Sequence, residues 1–169
     1  AAGLRDEAVH YREEGYERQR YGDLHSARSA YQKAAAINPS DPILHNYFGL
    51  LYKQQGDLEA AKQSFTHALV LDPSYKEALW NLATLHDRLG NREQALFQWL
   101  KLGMLYEQDG ELPRAQEAYQ QVLEIDSNYL EAMTNLAMVE ERLGDQQHAL
   151  LHWLKAGLLL EQRGELGAA

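Results

Sequence analysis

Gly22, Gly56 and Gly90 stand 34 residues apart, and Pro39 and Pro73 keep the same interval. A fixed period of that length makes each block one supersecondary unit that can bury its apolar face only against its neighbours. Within the block from Pro42 to Tyr75 the marked positions are Phe48, Gly49, Tyr52, Gly56, Ala61, Phe65, Ala68, Leu71 and Pro73. They fall in the order of two amphipathic helices separated by a Gly-Asp turn. The block from Ala8 to Asp41 repeats them with Tyr11, Gly15, Gly22, Ala27, Tyr31, Ala34, Ile37 and Pro39. The block opening at Lys76 does so with Leu82, Ala83, Gly90, Ala95 and Trp99.

Each residue type has a physical task. Small residues at Gly15, Gly49, Ala27 and Ala61 let paired helices approach closely, and the aromatics fill the space beside them. Gly22, Gly56 and Gly90 end the first helix of each pair in a backbone conformation that other residues adopt at a penalty. Together these residues resemble the tetratricopeptide repeat family. The resemblance implies an all-α fold, a helical-hairpin solenoid of the alpha-alpha superhelix type running over residues 1–169, with regular repeats at 8–41, 42–75 and 76–109.

After Gly90 the rhythm changes, because Gly110 follows by 20 residues, Gly144 by 34 and Gly164 by 20. The block 96–129 still matches the pattern through Trp99, Leu102, Gly103, Tyr106, Gly110, Ala115, Tyr119 and Ile125, so it overlaps the block before it by one helix. The stretch Arg92–Asp109 is therefore expected to be one long helix, second in one repeat and first in the next. Dropping a helix from the alternation predicts an interruption of the superhelix near Trp99. A 54-residue unit results, and the 36 residues from Glu77 match those from Glu131 at 20 positions. The last unit, 130–163, stops where the first copy continues, which predicts an uncovered apolar edge at Trp153, Gly157, Leu158, Leu159 and Leu160. Such an edge suits a piece of a longer array, an engineered or recently duplicated chain, or a subunit that pairs through this end.

Sixteen Lys and Arg against 25 Asp and Glu give a net charge of −9, which disfavours nucleic acid and anionic membrane surfaces as partners. With no cysteine there is no disulfide, thiolate metal site or Cys nucleophile. The first residues lack the apolar core of a secretory signal, and no apolar run is long enough to span a bilayer. A soluble, cytoplasmic protein is the expectation.

No catalytic or phosphate-binding pattern occurs, so no enzymatic activity, cofactor or metal is expected. His148 and His152 lie four apart on a helix, but without a third ligand at a helical offset they read as a solvated face. Glu13 with Glu14 and Glu140 with Glu141 read as outward-looking acidic pairs.

What the family resemblance implies is protein–protein recognition: the first helices of successive repeats line a concave groove that holds a partner peptide or helix. Carried over position by position, the groove would present Arg12, Tyr16, Gln19 and Arg20, then Asn46, Leu50, Lys53 and Gln54, then Glu77, Trp80, Thr84, Asp87 and Arg88. Arg12, Arg20 and Lys53 suit an acidic segment or a C-terminal carboxylate, unless neighbours such as Glu13 and Glu17 already offset them. The two-carboxylate clamp of chaperone-linked members is not matched, since Arg12, Tyr16, Tyr47, Glu77 and Asn81 stand at its positions. Trp80 is a candidate anchor or a packing residue against Leu50. The reading is a non-enzymatic scaffold or adaptor binding a partner in the groove of the first repeats. The alternative is a homo-oligomeric assembly subunit using the C-terminal edge.

Overall fold

The computed structural model describes residues 2–164, and among these it contains nine α-helices and no strand. They are α1 (Ala2–Arg20), α2 (Leu24–Ile37), α3 (Pro42–Gln55), α4 (Leu58–Leu71), α5 (Lys76–Arg88), α6 (Arg92–Gln108), α7 (Leu112–Ile125), α8 (Leu130–Leu143) and α9 (Gln146–Gln162). Residues 165–169, in which the second copy of the 54-residue unit stops, lie outside the described residues.

The turns follow from two adjacent residues. Gly56 and Gly144 end α3 and α8 in the left-handed region, at φ 84° and 85°, where a side chain would be strained. The aspartate that follows then caps the next helix: Asp57 accepts from the Ala60 amide and Asp145 from the His148 amide, each over one turn. Asp41 does the same for α3, accepting from Ile43 at 2.9 Å, with Pro42 in the first turn where its missing amide is not needed.

The chain forms two compact units, residues 1–85 and 86–169, and the division falls inside α5. In the first unit, α1 packs on α2 and α3 on α4 as antiparallel hairpins, and α2 and α1 both reach α3. One core cluster holds Ala27, Tyr31, Ala34, Leu44 and Leu51, and a second joins Ala61 and Phe65 of α4 to Leu82 and Leu85 of α5. Burying that many apolar side chains supplies the main favourable contribution to folding.

In the second unit each helix packs on the next, α6 on α7, α7 on α8 and α8 on α9. The long helix expected from the overlapping repeats is continuous from Arg92 to Gln108, and after Gly110 its hairpin partner is α7. It buries Ala95, Trp99, Leu100, Leu102, Gly103 and Tyr106, which occupy more of its circumference than a single stripe would. Both α6 and α9 are 17 residues long, against 13 or 14 for the helices from α2 to α5.

Candidate protein-binding surfaces

The positions of the first unit that the resemblance assigns to a groove are occupied largely by polar side chains bonded to one another. Arg12 donates from Nη1 to Asp41 at 2.6 Å and from Nε to Glu13 at 2.9 Å, and its side chain is 13% exposed. Burial works against the charge, but the Asp41 and Glu13 carboxylates outweigh it and hold the guanidinium above its ordinary pKa. Arg12 therefore ties α1 to the cap of α3, and its charge is already answered.

Two further links bridge equivalent helices 35 residues apart. Gln19 donates to Gln54 at 3.3 Å, and Asn81 donates to Asn46 at 2.9 Å, while the Asn46 amide faces the Tyr75 hydroxyl at 3.5 Å. Asn46 is only 3% exposed, so it holds α3 and α5 in register and presents little to a partner. Tyr16 stacks on Tyr47 with ring centroids 4.6 Å apart. Burial pushes the Tyr47 and Tyr75 phenols above their ordinary pKa, so both stay neutral hydrogen-bonding groups.

What remains accessible is narrower than the sequence suggested. Arg20 is exposed and paired with Glu17 at 3.1 Å, the offset anticipated from the neighbouring acids. Leu50 is half-buried against the cluster of Ala61, Phe65, Leu82 and Leu85. Lys53 is half-buried and, among the described residues, has no ion-pair partner. Trp80 is 40% exposed, and Thr84 returns its hydroxyl to the Trp80 carbonyl at 2.8 Å. Glu77, Asp87 and Arg88 are exposed.

At the other end of the chain the expected edge residues lie on α9. Leu158 is exposed, and Trp153, Gly157, Leu159 and Leu160 are half-buried. Leu150, Leu151 and Leu154 extend the apolar surface, each more than half exposed. The Trp153 indole donates to Glu141 at 2.9 Å, which fixes the ring against α8.

Two expectations need correction here. Glu140 is not outward-looking but 1% exposed, and His152 is not part of a solvated face, because its Nδ1 meets the Glu140 carboxylate at 2.7 Å. The cause is tertiary: α8 and α9 fold onto each other, bringing together residues 12 apart that helical spacing along one element cannot relate. His148 is the exposed member and bonds to its own cap, Asp145. Among the described residues no group of three or more His, Cys, Asp or Glu is placed to hold a metal ion. No helix among them is long and apolar enough to cross a membrane.

Three models described as tetratricopeptide repeat match residues 30–63, 52–98 and 100–158. The probable UDP-N-acetylglucosamine–peptide N-acetylglucosaminyltransferase SPINDLY of Hordeum vulgare is 30% identical over 132 residues, which cover 78% of this chain. The chain spans 13% of that protein's length. Among solved structures, Pseudomonas aeruginosa PilF is similar at a TM-score of 0.56 and 15% identity, over 98% of this chain and 88% of that one. The second tetratricopeptide domain of Spaghetti (RPAP3), solved with an HSP90 peptide, reaches 0.57 at 20% identity over 62% of this chain and 99% of that one. Helical hairpins of this size, turned by Gly-Asp pairs and matched along both units by one family, leave a single assignment: the chain belongs to the tetratricopeptide repeat family.

Proposed function

We propose that the protein is a non-enzymatic interaction scaffold whose first unit captures an acidic polypeptide segment through Tyr16, Leu50, Lys53 and Trp80. Repeat proteins of this type present extended binding surfaces. The observation that carries the reading is the contrast between Lys53 and its neighbours. Arg12 and Arg20 are paired with carboxylates, whereas Lys53 has no ion-pair partner among the described residues. A half-buried ammonium beside apolar surface gains more from a partner's carboxylate than a fully solvated one. Trp80, 40% exposed, has the area of an anchor residue. Arg12, Gln19 and Asn46 position these groups and are themselves held by Asp41, Gln54 and Asn81.

The test is a peptide array of acidic and neutral sequences, followed by titration of the best binder. Lys53→Glu should weaken an acidic peptide about ten-fold or more, and Trp80→Ala should do so irrespective of peptide charge. Binding indifferent to both substitutions would refute this surface.

A second reading, self-association through α9, is favoured by the exposure of Leu150, Leu151, Leu154 and Leu158. Solution mass over a wide concentration range tests it, and Leu160→Glu should make an oligomer monomeric.

A further inference from the structure

His148 and His152 stand one helical turn apart on α9, a spacing that puts both side chains on one face. Each ring is held by a carboxylate at the same nitrogen. His148 Nδ1 lies 2.7 Å from Asp145, and His152 Nδ1 lies 2.7 Å from the buried Glu140. An ionised carboxylate at Nδ1 keeps a ring proton there and leaves Nε2 as the nitrogen with a lone pair to give. Among the described residues neither Nε2 has a hydrogen-bond partner. Metal-ligating histidines are held in this way, because the outer hydrogen bond fixes the tautomer, orients the ring and raises its basicity.

Both rings line one recess of about 360 Å³ formed by α7, α8 and α9. Gln116, Gln120 and Glu124 of α7 make its opposite wall, and no Lys or Arg is among the described residues around it. The local charge therefore favours a cation. The first copy of the 54-residue unit lacks the whole set, with Gln94 and Gln98 at the histidine positions and His86 and Asn91 at the carboxylate positions. Another histidine pair, His45 with His67, has ring centroids 4.2 Å apart, but the His45 Nε2 is already bonded to the Pro39 carbonyl at 2.7 Å.

We infer that His148 and His152 bind a divalent cation of the Zn2+ class through their Nε2 atoms, with Asp145 and Glu140 as the carboxylates that orient them. Imidazole nitrogen suits zinc, copper and nickel, at bond lengths of about 2.0–2.1 Å for zinc. Among the described residues no third His, Cys, Asp or Glu joins the pair as a ligand. Water fills the remaining positions, so the ion keeps room for a donor from outside the chain. Where a ring is protonated at both nitrogens, the metal takes the place of the Nε2 proton. Helical spacing alone relates only the two rings, and the fold adds Glu140 from α8. This site lies in the second unit and stands or falls independently of the Lys53 and Trp80 surface.

The probe is Zn2+ alone, titrated as its chloride into the full chain in a non-chelating buffer and followed by calorimetry and by the ring-nitrogen resonances of the histidines. The expected result is saturable one-to-one binding that shifts the Nε2 signals of His148 and His152. His148→Gln and His152→Gln, which install the side chains of the first copy, should each remove most of the binding. Asp145→Asn and Glu140→Gln should each weaken it roughly ten-fold while circular dichroism shows the fold intact. Asp145→Asn keeps an oxygen to cap α9, so the site stays testable even where a change at buried Glu140 unfolds the hairpin. His67→Gln should leave the titration unchanged. No saturable binding by about 1 mM Zn2+, shifts confined to other histidines, or an affinity unaltered by His148→Gln would each overturn the assignment. An affinity unaltered by both Asp145→Asn and Glu140→Gln would overturn the part given to the carboxylates.

Discussion

α6 and α9 carry the same Trp-Leu-Lys-x-Gly run, at 99–103 and 153–157, yet Leu100 is 8% exposed and Leu154 is 56% exposed. Gly103 lies under the Tyr119 ring, whereas nothing described stands within 4 Å of a Cβ at Gly157. Both helices form on their own local pattern, so the difference lies in what covers them. In a repeat array, burial is a property of the neighbour as much as of the residue. A sequence that builds a core position in α6 leaves exposed apolar side chains on α9 among the described residues.

The comparison breaks most visibly at the tryptophans. Trp99 is 3% exposed, and Trp99→Ala should cost about 3–5 kcal/mol in chemical denaturation. Trp153→Ala, at a half-buried ring held by Glu141, should cost clearly less. Equal losses would mean that α9 is covered as fully as α6.

The buried acid comes next, since it sharpens what the two copies do not share. Position 140 holds Glu where the first copy has His86, and position 152 holds His where the first copy has Gln98. His152→Leu leaves the Glu140 carboxyl buried without that partner and should destabilise by about 1–3 kcal/mol. Adding Glu140→Leu should recover most of the loss, because two apolar groups can replace a buried pair at little net change. A single variant as stable as the parent would show that the pair is idle.

The smallest effect is expected at Leu154. Leu154→Lys should change stability by no more than about 0.5 kcal/mol, as at an ordinary surface position, whereas Leu100→Lys places a charge at a buried one. Thermal melts of the two variants at equal protein concentration compare them directly.

Much of the architecture was legible in the sequence, because its causes are local and periodic. The turn glycines, the aspartate caps and the long helix beginning at Arg92 all follow from residues within one or two turns of each other. The chemistry at the expected groove positions was less legible. Arg12 reads as a free groove cation until the fold brings Asp41, 29 residues away, to 2.6 Å. Asn46 reads as a contact residue until Asn81 and Tyr75 close around it. Glu140 and His152 were misread for a related reason: a hairpin joins residues 12 apart, and no pattern along one helix reports that. The recurring offset of 12 between ring and acceptor, visible at Tyr31 with Gln19 and at Tyr119 with Glu107, is the signal that could have found them.

The central claim is that one sequence pattern is covered on α6 and, among the described residues, open on α9. Gly103→Ala and Gly157→Ala test it within a single protein, by chemical denaturation of the two variants beside the parent. Gly103→Ala drives a methyl group into the Tyr119 ring and should destabilise by about 1–3 kcal/mol. Gly157→Ala meets nothing within 4 Å among the described residues and should stabilise by up to about 1 kcal/mol through helix propensity. Opposite signs are the predicted result, and destabilisation of both by similar amounts would contradict the account.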